Sequence, residues 1–579
     1  MKNLKVLNTY FIKYKWHFLG GLLFVILSSI FKIYQGVIVR EGTEQIMSVF
    51  KSDTPVESSV FLKHGLTLIS LALLSGFFLF LMRQTIIVMS RHIEYDQKNE
   101  LYQKYQELDQ QFYKSHTTGD LMNRISEDVS KVRMYTGPAI MYLANTIVTT
   151  ITILGFMLMV NVKLTLMVFI PLPILSLIIY FVSDKINKQG TIVQEELGNL
   201  TTQAQESFSA IRVIKAYARE KFFIKQMSEK SGEYRKAALR MANIEALFSP
   251  AMILMVGMSV LITVWYGGIM VSNGEISSGN IPEFILYVFY MTWPFAALGW
   301  VTSLIQRASA SQKRINEFLT IKPNIISVNS NNYEIRGDIE FKNVTFKYPE
   351  NGVLALTDLS FKLPAGKILG ITGPVGSGKS SVISLLTRQY DVTEGEIWVD
   401  GKNIKEHNLK TLRRHMGTVT QDVFLFSDSI ANNICFGTQE KQISHERIID
   451  SAKKAGVHEN IMQFPEQYET KVGERGVTLS GGQKQRISIA RALIGNPKLL
   501  LFDDCLSAVD TETEELILSN IKKELQSRTG IIISHRLSSI KQADFILFLK
   551  DGKIAESGTH EELMKMRKDY FELNQLQNN

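Results

Sequence analysis

The sequence predicts a multidomain membrane protein. An all-α transmembrane domain of six helices at residues 1–320 is followed by a linker at 321–336 and an α/β domain built on a phosphate-binding loop at 337–579. Three observations carry this reading. Apolar residues make up 45% of the chain and crowd into six long runs before residue 310. The segments between those runs alternate between rich and poor in Lys and Arg. Further on, "KILGIT" leads into "GPVGSGKSS" and then "VISLLTRQY", the order of a strand, a glycine-rich loop and a helix.

At 579 residues the chain exceeds what one core organises, so more than one domain is expected. Crossing a bilayer takes ~20 apolar residues in a helix. The runs at 17–39, 62–89, 137–160, 162–183, 247–271 and 283–305 meet that length. The first is too long, and lacks the small-residue cleavage pattern, for a removable leader. Segment 1–16 carries Lys2, Lys5, Lys13 and Lys15; segment 91–136 carries seven basic residues and 185–246 eleven. The alternate loops 41–60, 161–163 and 272–282 hold only Lys51 and Lys163. Both ends of the membrane half are therefore expected on the cytoplasmic face of the membrane.

The two long basic segments place apolar residues at helical intervals. They read as membrane helices prolonged into the cytoplasm, with turns at "SHTTGD" (115–120) and near 209–213. Charged or polar groups within the spans are few; Lys32, Gln35 and Arg83 are singled out, and each lies near a span end, where a long side chain reaches the interface. Pro171 and Pro173 are expected to bend the fourth span. The formal charge of +8 does not signal nucleic acid, because the basic residues fall mainly in loops between spans. Cys435 and Cys505, the only cysteines, give no disulfide framework and suit a reducing compartment.

"IKPNIISVNSNN" (321–332) has the composition of an exposed connector, and "IEFKNVTFKY" (339–348) alternates like a half-exposed strand. In the loop that follows, Gly373, Gly376 and Gly378 let backbone N–H groups converge on phosphate oxygens without a Cβ in the way. Pro374, Val375, Ser377 and Ser381 complete the loop. Lys379 neutralises phosphate charge, Ser380 offers a hydroxyl to Mg²⁺, and the helix presents its positive end. "KLLLFDD" (498–504) drives an apolar strand into two carboxylates. Asp503 is placed to hold Mg²⁺, and Asp504 to polarise an attacking water.

At "TLSGGQKQRISIARAL" (478–493) the second half comes to resemble the nucleotide-binding domain of ATP-binding cassette (ABC) transporters, a P-loop ATPase. The run Leu479, Ser480, Gly481, Gly482 and Gln483 is similar to that family's signature, an anion site at a helix start. In the family it completes the ATP site of a facing second domain. The resemblance extends to Tyr348 as the adenine-stacking aromatic, Gln421 as the glutamine near Mg²⁺ and water, and Glu474 near the membrane-helix turns. Ser507, Ala508 and Asp510 match the loop that crosses to the opposite site, and His535 the switch histidine at the γ-phosphate. ATP and Mg²⁺ are the implied cofactors. Six spans ahead of one cassette resembles an exporter half-transporter, which implies a second half-transporter as partner, a lipid bilayer around it, and the two turns as coupling helices.

The family usually has glutamate where this chain has Asp504. That departure resembles heterodimeric exporters in which one ATP site hydrolyses weakly while the chain keeps an intact signature for its partner's site; a homodimer with two slow sites is the rival. Cys505 is read as a packing residue. An ATP-gated channel or regulatory protein on the same scaffold is the alternative function. A soluble DNA-repair ATPase of this superfamily would lack the spans, and importers usually keep the two domains on separate chains. Cargo is expected to be hydrophobic or amphipathic: a small molecule, a lipid or a peptide.

Overall fold

Apolar helices and an alternating α/β pattern build different cores, so each half packs by itself. The computed structural model describes residues 2–52, 58–327, 333–440, 442–473, 479–505, 511–525 and 528–578. Contacts divide the chain into two units. Met1–Gln106 and Gly119–Ile321 form the first; Glu107–Thr118 and Lys322–Asn579 form the second. The short helix Gln110–Ser115, which lies within the first domain by sequence position, thus groups with the second. Asp109 caps this helix by accepting from the Phe112 N–H, and its other carboxylate oxygen accepts from the Asn324 N–H at 2.7 Å.

Among the described residues of the first unit, five helical stretches are long and apolar enough to cross a membrane: Lys15–Ser48, Ser59–Glu107, Thr118–Val160, Glu220–Ser272 and Asn280–Leu319. The expected fourth span falls on Val162–Phe169 and the start of Pro171–Ser209, where several side chains lie outside the described residues. Pro171 opens that second helix, a position where its missing N–H interrupts no hydrogen bond. The helix breaks at Ala210, and a short helix, Ile211–Ala216, follows. The stretch Thr118–Val160 is wound as π-helix at Arg124–Asp128 and again at Tyr135–Ala139, the latter around Pro138, which cannot donate to an α-helical ladder.

Lys32 has an aromatic neighbour that the sequence did not indicate. Its ammonium lies 4.4 Å from the centroid of the Tyr290 ring, whose hydroxyl donates to Gln35 Oε1 at 3.0 Å. An aromatic face holds a half-buried cation without a counter-charge. Arg83 is exposed.

In the second unit, β1 (Ile339–Lys347), β2 (Leu354–Leu363), β4 (Glu394–Val399) and β5 (Lys402–Asn403) form an antiparallel sheet in the order β2-β1-β4-β5. A second sheet runs β10-β9-β3-β8-β7-β6, from β3 (Ile368–Thr372), β6 (Met416–Val419), β7 (Leu499–Asp503), β8 (Thr529–Ile533), β9 (Phe545–Lys550) and β10 (Lys553–Gly558). Its β9, β3, β8, β7 and β6 are parallel. Every residue of β7 and β8 is buried, as expected of parallel strands covered on both faces. One core cluster joins the two sheets through Phe341, Leu369, Val382 and Ile531; another packs the helix Gly481–Ile494 on β7 and β8. The parallel strands end in register: Ile371 pairs with Ile533, Asp503 with Ile533, and Phe502 with Val419. Whatever follows these four strands is therefore gathered along one edge of the sheet.

Candidate nucleotide site

Four sequence-predicted elements occupy that edge. The glycine-rich loop follows β3, Gln421 follows β6, Asp503 and Asp504 close β7, and His535 follows β8. The loop folds as it does because its glycines permit it. Gly378 has φ +90° and passes Ala355 so closely that a Cβ would sit 2.2 Å from its carbonyl oxygen. Gly373, with φ +142°, is pressed in the same way against the Leu549 carbonyl. Lys379 opens the helix Lys379–Leu386 and is buried, donating from Nζ to the carbonyls of Gly373 at 2.9 Å and Pro374 at 2.7 Å. Ser377 Oγ lies 3.5 Å from the same ammonium.

The Ser380 hydroxyl donates to Asp503 Oδ1 at 2.9 Å. Burial pushes the Asp503 carboxyl above the usual carboxylate range, the Asp504 charge adds to this, and the Ser380 bond and Lys379 oppose it. A hydroxyl and a buried carboxylate side by side are hard oxygen donors short of positive charge, so the residues present fit Mg²⁺. Burial lowers the Lys379 ammonium, and the charges of Asp504 and Asp503 raise it. Burial lowers the His535 imidazole below its usual value and Lys379 adds to this, while the charges of Asp504 and Asp503 oppose it. Asp504 adopts a left-handed backbone, φ +43°; its N–H donates to the Ile533 carbonyl at 2.9 Å, and its Oδ1 accepts from the His535 N–H at 3.5 Å. Cys505 is buried, and burial pushes its thiol far up, as suits packing.

Tyr348 is half-buried, and its hydroxyl lies 2.9 Å from Ser381 Oγ, which ties the ring to the loop helix. Sequence reasoning did not single out what braces it: Tyr390 packs edge-on at 5.5 Å and donates to Glu350 Oε1 at 2.8 Å. Glu350 sits two residues from Tyr348, but Tyr390 is 40 positions from Glu350, so the brace carries no linear signal. Gln421 is exposed at its strand end.

The signature run stands apart from these hydrogen bonds. Ser480 caps the helix Gly481–Ile494 in a capping box, accepting from the Gln483 N–H at 3.2 Å while Gln483 Oε1 accepts from the Ser480 N–H at 2.9 Å. Leu479 is buried beneath it, and Gly481 and Gly482 form the first turn. Glu474, Ser507, Ala508 and Asp510 lie outside the described residues.

A strand, phosphate-binding loop and helix, with a carboxylate at the end of a neighbouring strand, define a nucleotide-hydrolysing domain of the P-loop class, here joined to a set of apolar helices. Comparison with known proteins makes this specific. The model for the ABC transporter transmembrane region matches residues 18–295, and the ABC transporter model matches 356–507. An uncharacterized ABC transporter ATP-binding protein, YknU of Bacillus subtilis, is 34% identical over 100% of this chain and 98% of its own. The multidrug resistance-like ATP-binding protein MdlA of Escherichia coli is 34% identical over 88% of this chain and 87% of its own. The ATP-dependent lipid A-core flippase of Syntrophus aciditrophicus is 33% identical over 84% and 81%. A structure of a bacterial Atm1-family ABC exporter with ATP bound superposes with a TM-score of 0.80, at 26% identity, over 98% of each chain. The chain belongs to the ABC transporter family, as an exporter-type protein with its membrane and ATPase domains on one polypeptide. It binds ATP and couples hydrolysis to export.

Proposed function

We propose that the chain is one half of a dimeric exporter that moves a hydrophobic or amphipathic cargo out across the cytoplasmic membrane, with both termini and the ATPase domain in the cytoplasm. The observation that carries it is the division of the nucleotide machinery. Lys379, Ser380, Asp503 and Asp504 meet at one sheet edge, while Ser480 and Gln483 spend their hydrogen bonds on each other at a separate helix start. An anion site that its own loop does not use suits a facing domain. The names of the relatives, multidrug resistance proteins and a lipid A-core flippase, support a greasy cargo.

In this reading the loop N–H groups and Lys379 bind the phosphates, and Tyr348 stacks on adenine. Ser380, Gln421 and Asp503 would hold Mg²⁺, which supplies charge neutralisation on the phosphates when bound. Asp504 orients the attacking water and takes its proton, and neutral His535 donates to the γ-phosphate. Aspartate falls short of glutamate by one methylene, roughly 1–1.5 Å, and a misplacement of ~1 Å costs on the order of 10²-fold in rate. We therefore favour a heterodimer whose partner carries the fast site. Ethidium uptake into inside-out vesicles tests the whole proposal. ATP should drive uptake with a candidate partner co-expressed, and Lys379→Ala should abolish it. Uptake that persists in Lys379→Ala, or equal ATP turnover by the chain alone and by the pair, would overturn export by a heterodimer.

A further inference from the structure

The chain passes between the two units three times, at the end of the helix finishing at Glu107, at the start of the helix opening at Thr118, and beyond the helix finishing at Leu319. Near these crossings, within the first unit, two tiers of side chains tie the same three helices together.

The tier nearer the crossings is aromatic. Phe318 is fully buried, its ring 4.6 Å from that of Tyr105 and 5.6 Å from the Arg124 guanidinium. The Tyr105 hydroxyl donates to the Leu121 carbonyl at 2.9 Å, closing the triangle. The next tier is polar. Asp128 is fully buried and accepts from Ser311 Oγ at 2.9 Å and Arg314 Nε at 2.8 Å, with Arg314 Nη2 closing the second arm of the fork. Gln97 Nε2 donates to Gln312 Oε1 at 3.0 Å, and Glu94 pairs with Arg133 at 3.4 Å.

Apolar helices can slide past one another at little cost, but if the half-exposed Arg314 moves away, the fully buried Asp128 is left as an uncompensated charge in a poor solvent. A two-armed guanidinium bond also fixes direction as well as distance. The π-helical stretch that ends at Asp128 sets the rotation at which its carboxylate meets Arg314. We propose that Asp128, Arg314 and Phe318 are positioning residues of the export reaction. They key the three helices into one lever, so that motion of the nucleotide-binding unit enters the membrane half through its covalent connections as movement of a single body. The proposal rests on ATP-driven switching and adds which residues keep the helices in step.

The test uses the full chain in lipid nanodiscs, with amide hydrogen exchange, ATP turnover and thermal melting as readouts. Without nucleotide, Asp128→Asn should speed exchange about tenfold across 94–105, 121–133 and 311–318 together, since a keyed lever opens as one unit. The change in exchange that AMP-PNP with Mg²⁺ induces in the spans should fall by at least half, while ATP turnover stays within about twofold of the parent. Asp128→Asn with Arg314→Gln buries no lone charge; it should melt as the parent does and still lose the nucleotide response. Faster exchange confined to 121–133 overturns the keying. So does a nucleotide response that survives in both variants, or one that falls in proportion to turnover and melting temperature, as a purely structural role requires. A parent chain with no nucleotide response overturns ATP-driven switching and the lever with it, an outcome distinct from failure of the exchange arm.

Discussion

Asp504 cannot make up its missing methylene by shifting its backbone. Its N–H is held by the Ile533 carbonyl, and its left-handed φ of +43° is tolerated because a short polar side chain bears that conformation better than most. Under the proposed roles, Asp504→Glu should raise ATP turnover by about tenfold or more, measured as phosphate release. An unchanged rate would remove Asp504 from the water-activating role. In the chain assayed without a partner, Lys379→Ala should lower turnover on the order of 10²–10³-fold without lowering the melting temperature by more than a few degrees. Among the described residues its ammonium donates to two loop carbonyls and lies near one hydroxyl, none of which holds distant elements together. These residues were legible because the family's loop is contiguous. The bracing of Tyr348 by Tyr390 and Glu350 was not, because it joins residues 40 positions apart across a fold.

At the scale of elements, the parallel register of β3, β8, β7 and β6 brings four distant motifs to one edge. The turn leaving β3 depends on Gly378, where a Cβ would enter the Ala355 carbonyl. Gly378→Ala should cost the nucleotide-binding unit about 2–3 kcal/mol in urea unfolding and weaken ATP binding, whereas Gly366→Ala, at φ +77° with open space around it, should cost only about 1 kcal/mol. The small antiparallel sheet has its own pH dependence. His407 is buried beside Tyr333, and burial holds its imidazole below the usual histidine value. The folded state thus binds fewer protons than the unfolded chain, so this contribution is present above about pH 6.5 and is lost as pH falls through the depressed value. Unfolding followed between pH 7.5 and 5 should show stability falling, and His407→Gln should flatten the slope. The half-exposed strand near 339–348 and the phosphate-binding loop were readable from alternation and glycine placement, whereas the strand order was not. The break at Ile170 was readable from Pro171, but the π-helical turns at 124–128 and 135–139 were not, since only hydrogen bonding tells them from an α-helix.

At the scale of the molecule, an exporter of this kind works only if its halves are complementary. Under the proposed heterodimer Ser480 would serve the partner's faster site, so in the complex captured from native membranes on a tag carried by this chain Ser480→Ala should lower ATP turnover more than Lys379→Ala does. The reverse order would sink the heterodimer. Sequence alone determined that there is a membrane half and a P-loop half, because hydropathy and phosphate-binding loops are local properties of a chain. Only the tertiary structure decided that Lys32 lies over Tyr290 and that Asp128 is locked to Arg314, 186 positions away. The physical reason is that a buried charge is held by whatever the fold brings within a few ångströms, and no local pattern names that partner.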